Sequence, residues 1–157
     1  MLPMWKKLSP RPGRADGFTL LEVLLSVGMM AILAGIGAPI YARSQTKNDL
    51  DTSVQIWVES LRRATVLAAG VDGDSTWGVA FTSGAITVFR GASYAARDTN
   101  YDEVFPIPTT ISASGLTEVV MTKLTGYPGT TGTTTVGSSA LTDTAGVTIN
   151  SKGMVSY

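Results

Sequence analysis

The sequence predicts an α+β protein, in which a long N-terminal helix packs on an antiparallel β-sheet body. Three observations carry that prediction. Val23 to Ala42 is a run of 20 residues without a charge. At 1.5 Å per residue a helix of that length covers about 30 Å, the hydrocarbon thickness of a bilayer. From Arg43 to Ala69 no glycine or proline interrupts the chain, and apolar residues recur at helical spacing. Beyond Gly70 the pattern becomes short β-branched and aromatic runs separated by turn residues. The chain thus divides into a basic leader (1–17), a membrane-length helix (18–42), its amphipathic continuation (43–70) and a β-rich body (71–157).

Composition narrows the function before any motif does. A length of 157 residues leaves room for one modest domain beside the helix. The formal neutrality hides an asymmetry. The leader holds Lys6, Lys7, Arg11 and Arg14 against Asp16, whereas residues 18–157 hold 8 basic and 11 acidic side chains, a net of −3. A mildly acidic body argues against general nucleic-acid binding, which relies on excess cations to neutralise phosphates. There is no cysteine and no histidine. Disulfides, thiol nucleophiles, Cys/His zinc sites and Ser-His-Asp arrangements are therefore excluded, and the body must hold together by packing alone.

Positive charge ahead of an apolar helix keeps the N-terminus cytoplasmic and sends the C-terminal body across the membrane. Three processing fates fit such a segment. A secretory signal would be cut after its apolar core, and Ile40-Tyr41-Ala42 forms a weak site there, but the core exceeds the usual 7–15 residues. An uncleaved signal anchor fits both length and charge, and would tether an extracytoplasmic binding module.

The third fate rests on Gly17-Phe18-Thr19-Leu20-Leu21-Glu22-Val23. This run resembles the processing site of type IV prepilins and of the type II secretion pseudopilins. The resemblance implies that a prepilin peptidase cuts after Gly17, ahead of the apolar helix, and methylates the new N-terminal residue, giving N-methyl-Phe18. It makes Glu22 the family's assembly glutamate, and Pro39 falls where many members carry a helix proline. A carboxylate is expensive in a bilayer, about 2.5–3.5 kcal/mol at its centre on insertion scales, so Glu22 calls for a partner. Cleavage supplies one in the free amine of Phe18. The resemblance further implies that the amine of an incoming subunit pairs with the glutamate of its neighbour. Gly28, Gly35, Gly37 and Pro39 read either as ordinary small residues and a kink in a membrane helix or as a stretch that unwinds when subunits pack.

In the continuation, Leu50, Val54, Trp57, Leu61, Ala64 and Ala68 form one apolar stripe, with Asp49, Asp51, Glu59, Arg62 and Arg63 mostly off it. Gly70 is the expected stop, and Arg62 and Arg63 read as a solvated face. Val71 to Ser75 is a turn. Trp77–Phe81 and Ile86–Phe89 alternate around Ser83-Gly84, which predicts a hairpin whose Trp77, Val79, Phe81, Ile86 and Val88 fill the core. Residues 91–108 look irregular and are expected to form an exposed excursion. Within them Asp98, Asn100, Asp102 and Glu103 resemble the start of a calcium loop, although Glu103 occupies the glycine position and Thr109 stands where the closing glutamate belongs. Strands are expected at Thr110–Ala113 and at Thr117–Leu124, with Val119, Met121 and Lys123 on one face. The Gly/Thr-rich stretch from Gly126 to Gly137 reads equally as loop or edge strand. Val147–Ile149 and Met154–Tyr157 predict a final hairpin. This order of elements resembles the minor pseudopilins of the GspH-like type.

The expected function is a structural one, as a pilin or minor pseudopilin of a type IV pilus, a competence pilus or a type II secretion pseudopilus. The resemblance implies as partners other pilin-like subunits, the prepilin peptidase and an inner-membrane assembly platform, with membrane lipid before assembly. The C-terminal Ser151–Tyr157 carries one basic residue, Lys152, and so lacks the Arg-rich ending of some DNA-uptake pilins. Scattered carboxylates and the absence of histidine give no support to an enzyme. Apart from the calcium candidates, no cofactor is expected.

Overall fold

The computed structural model describes residues 17–157, apart from the side chains of residues 37–39. Residues 1–16 of the basic leader and the Pro39 side chain therefore lie outside the described residues. The chain divides into two compact units at Pro39, and helix α1, Leu20–Ala69, runs through both.

Among the described residues of the first unit, α1 has no buried side. Leu20, Leu21, Leu24, Leu25, Met29, Met30, Ile32 and Leu33 are all exposed. The most apolar window has a mean hydropathy of 2.2 and no residue buried within the protein. A helix that is apolar all round is stable only inside a bilayer or among other helices.

In the second unit, the expected stripe is buried almost completely: Leu50 is 3 % exposed, Leu61 1 %, and Trp57, Ala64 and Ala68 0 %. Val58, Ser53 and Ser60 widen it. The helix ends at Ala69, where Gly70 N–H donates to Val66 O at 2.8 Å. The helix thus stops at Gly70 as expected, and the left-handed residue that turns the chain is Val71 (φ 56°). A β-branched residue is uncommon there. A single 3₁₀ turn, Asp72–Asp74, follows, and the Trp77 indole N–H donates to Asp72 O at 2.9 Å.

Eight strands complete the body: β1 (Trp77–Thr82), β2 (Ala85–Arg90), β3 (Asp98–Pro106), β4 (Ile111–Gly115), β5 (Glu118–Met121), β6 (Gly132–Ser138), β7 (Thr144–Ile149) and β8 (Val155–Ser156). They form two antiparallel sheets, β3-β2-β1-β5 and β4-β6-β7-β8. The expected first hairpin is β1–β2, with Gly84 at φ 84° closing the turn. Val79 lies opposite Val88, and Phe81 opposite Ile86, so all four meet on the inner face. One apolar cluster joins the α1 stripe to residues of both sheets, including Val119 and Met121 from the first and Ile111, Val136, Val147 and Ile149 from the second. Trp57 meets Phe81 edge-to-face, with ring centroids 5.6 Å apart.

Three expectations about the body are corrected. The excursion at 91–108 contains β3, which pairs with β2 from Ala85↔Pro106 to Arg90↔Asp98. It reads as loop because it is an edge strand exposed along most of its length. The Gly/Thr-rich stretch resolves into a loop followed by β6, which lies between β4 and β7 rather than at an edge. Thr134 and Val136 point inward while Thr133 is exposed, and the Thr133 and Thr148 hydroxyls bond at 2.8 Å across the strands. The strand expected at Thr117–Leu124 is shortened to β5, because Thr122 N–H donates to Tyr127 O at 2.7 Å and Leu124 takes φ 73°. Lys123 thus lies in a turn, paired with Asp74, and not on the inner face.

The outer face of the first sheet holds a second small packing site. Phe89 is 0 % exposed and lies opposite Gly78. Tyr94 closes it from the β2–β3 connection, its ring centroid 5.7 Å from that of Phe89. A Cβ on Gly78 would stand 2.5 Å from Phe89 Cζ. Gly78→Ala is expected to lower stability by about 1–3 kcal/mol through overpacking, and less so in a Phe89→Leu background. Urea unfolding of the four chains of that cycle measures the coupling, and strictly additive losses would contradict the contact. On the inner face, Trp57→Ala should cost about 3–5 kcal/mol in the same assay.

Candidate functional site

The described chain begins in a short non-helical segment. Gly17, Phe18 and Thr19 precede α1. Nothing lies within 4 Å of a Cβ built on Gly17, and Phe18 is 82 % exposed. A peptidase must draw a substrate backbone into its cleft, and a bond inside a helix has its backbone groups already committed. The Gly17–Phe18 bond lies outside the helix and is open to solvent.

Thr19 explains why the helix starts where it does. Its Oγ1 accepts from Glu22 N–H at 3.2 Å, and its carbonyl accepts from the N–H groups of Glu22 and Val23. Thr19-Leu20-Leu21-Glu22 has the spacing of a capping box. Glu22 sits in the first turn, where the partial positive charge of the helix end favours a carboxylate. Its side chain is exposed, and among the described residues no hydrogen bond or ion pair engages its carboxylate oxygens. Ser26 Oγ donates to Glu22 O at 2.7 Å, tying the next turn to this one. The Gly28 and Gly35 positions are helical, with open space where a Cβ would be. Pro39 lies within the span of α1.

The four calcium candidates end up on β3 and do not converge. Asp98 Oδ2 accepts from Arg90 Nη2 at 2.7 Å, and Asp102 Oδ2 accepts from Arg97 Nε at 2.8 Å. Glu103 takes both guanidinium donors of Arg63, across from α1. Asn100 donates its side-chain and backbone N–H to Asp98 Oδ1 at 3.0 and 3.2 Å. A strand with each carboxylate assigned to a different arginine replaces the predicted loop. Among the described residues no group of three or more carboxylates is placed to hold a metal ion. Arg90 also stacks on Tyr101 at 3.4 Å, and Arg97 on Tyr94 at 3.8 Å. Arg63, expected to be merely solvated, bridges helix and edge strand; Arg62 is exposed as expected.

The Thr19 cap was missed in the sequence, although the Thr-x-x-Glu spacing was a signal that could have found it. The arginine–carboxylate pairs had no such signal, since Arg63 and Glu103 are 40 positions apart. Hydrogen bonds from Asn100, backbone N–H first, and then from Arg90 hold the Asp98 carboxyl below its ordinary value. Its contribution to stability is therefore complete above about pH 4 and is lost as pH falls further. Asp98→Asn should reduce the acid dependence of stability below about pH 4. Melting temperatures measured from pH 2 to 6 check this, and an unchanged slope would count against the pairing.

Comparison with known proteins found no match to this chain among family models, curated proteins or solved structures.

Proposed function

We propose that the chain is a pilin-like subunit that is processed after Gly17, held in the inner membrane and then assembled into a fibre through its N-terminal helix. One observation carries this reading. Over residues 20–36 the helix is apolar on every face; it has Glu22 as its single charge before Arg43 and begins two residues after the solvent-open Gly17–Phe18 bond. A secretory signal needs its accessible bond after the apolar core, and here residues 41–43 are helical. Apolar faces on all sides suit two successive surroundings, lipid first and neighbouring helices later. The buried stripe of the second half leaves the β-rich body packed on its own helix, free of duties in the fibre core.

The system served is a type IV pilus, a competence pilus or a type II secretion pseudopilus, with the body outside the cytoplasm. In each, the partners are other pilin-like subunits, the prepilin peptidase and the assembly platform. Glu22 would receive the Phe18 amine of a neighbouring subunit.

Two measurements test the proposal. Mass spectrometry after co-expression with a prepilin peptidase should show a chain beginning at N-methyl-Phe18; an intact Met1, or cleavage after Ala42, would defeat it. Glu22→Ala should be processed normally yet enter filaments about tenfold less or worse, because it leaves a neighbour's amine uncompensated. Filament entry at the wild-type rate would remove Glu22 from the assembly role.

A further inference from the structure

The apolar run of α1 ends at Arg43, and Lys47 follows one turn later on the same side of the helix. Both side chains are exposed. Unlike Arg63, Arg90, Arg97 and Lys123, neither takes part in an ion pair among the described residues. They are also out of place for the topology, because cations beside an apolar helix are favoured on the cytoplasmic side and these follow the helix to the far side.

The β6–β7 connection lies beside this pair. Leu141, Thr142 and Asp143 line a pocket of about 210 Å³ together with Arg43, Ser44 and Lys47. The connection is anchored: Ser139 N–H donates to Thr110 O at 2.9 Å, and Ala140 N–H donates to Ser138 Oγ at 3.2 Å. The result is a concave site with a planar guanidinium, an ammonium and two hydroxyls, of Ser44 and Thr142. Asp143 lines it too, but forms no ion pair with either cation.

We propose that this pocket binds the phosphate of an anionic phospholipid headgroup in the leaflet facing the body. The inference rests on the membrane placement of α1 proposed above. A helix spanning from Glu22 brings residue 43 to about 30 Å from the start of the apolar run, which is headgroup depth. Guanidinium matches phosphate oxygens in a two-pronged geometry, and ammonium adds a point charge. Anionic leaflets attract such cations when they lie within a Debye length of the surface. Asp143 disfavours a carboxylate-rich ligand or a highly charged anion, which suits the single charge of a phosphodiester. The bound headgroup would then hold Arg43, Lys47 and the loop beside them at the membrane surface before assembly.

Native mass spectrometry of the full chain, released from nanodiscs of equal phosphatidylglycerol and phosphatidylcholine, tests the site. The wild-type chain should retain phosphatidylglycerol at least tenfold over phosphatidylcholine. Arg43→Ala/Lys47→Ala should abolish that preference. Arg62→Ala/Lys152→Ala, which removes the same charge elsewhere, should keep it. Equal retention of the two lipids, or a preference lost equally in both double variants, would overturn the proposal. Displacement of the lipid by an equimolar amount of inorganic phosphate would also overturn it, by assigning the pocket to free phosphate. Circular dichroism of each variant identifies any loss that comes from unfolding, and the single Lys47→Gln chain then supplies the test. The assay requires neither cleavage at Gly17 nor a filament. A chain left unprocessed but selective for lipid would refute the fibre reading alone, and a processed chain without selectivity would refute this one alone.

Discussion

The body depends on the burial of one helix stripe, and within that stripe on Trp57. Leu50 to Ala68 gives the inner faces of both sheets a common surface to pack on, so the two sheets share one apolar cluster. Trp57 is wholly enclosed there, and its indole N–H has no partner among the described groups. Leaving such a donor unpaired costs about 1–3 kcal/mol. A buried tryptophan is worth about 3–5 kcal/mol by truncation, so filling the space outweighs the lost hydrogen bond. In a body with no cysteine, no disulfide joins the sheets. Small residues let the helix come close. Ala64 and Ala68 are fully buried, and Gly126 has Thr65 O only 2.7 Å from where a Cβ would stand.

The same helix must meet two requirements that its sequence keeps apart. Residues 20–36 expose apolar side chains in all directions, whereas the part after Arg43 confines them to a stripe. The first pattern has no preferred rotation and suits a fluid surrounding; the second has one rotation only. Thr19 and Glu22 sharpen the start of the first part through a cap, and Val71 ends the second with a left-handed residue that glycine would adopt at less cost. Tolerated strain at this point indicates that the packing on both sides dictates the turn.

Much of this was legible in the sequence, and the parts that were not share a cause. The stripe, the first hairpin, the inner positions of Val119 and Met121 and the last hairpin follow from local periodicity, and they are found as expected. β3 and β6 were missed or left open because their strand character depends on neighbours distant in sequence. An edge strand of Asp, Asn, Thr and Glu has no apolar alternation to reveal it. A Gly/Thr strand becomes interior only once Ile111 and Val147 cover its sides. At the site, Gly17, Phe18 and Glu22 could be named because a short contiguous motif carries them. The pocket at Arg43 and Lys47 could not, since half of it comes from a loop about a hundred residues away.

The ion pairs along β3 have a consequence for the isolated body. An edge strand of nine residues offers an unpaired row of backbone groups to any passing strand. Here that row carries Asp98, Asp102 and Glu103, each neutralised within its own chain by Arg90, Arg97 or Arg63. A second chain approaching the edge would have to displace or desolvate those pairs before its own backbone could bond. The irregular register between Val88 and Arg90 further bends the template out of line. With charged residues at only 15 % of the sequence, the protein places several of them where edge-to-edge aggregation would otherwise begin. Crowded copies of the chain then meet a charged edge rather than an open template.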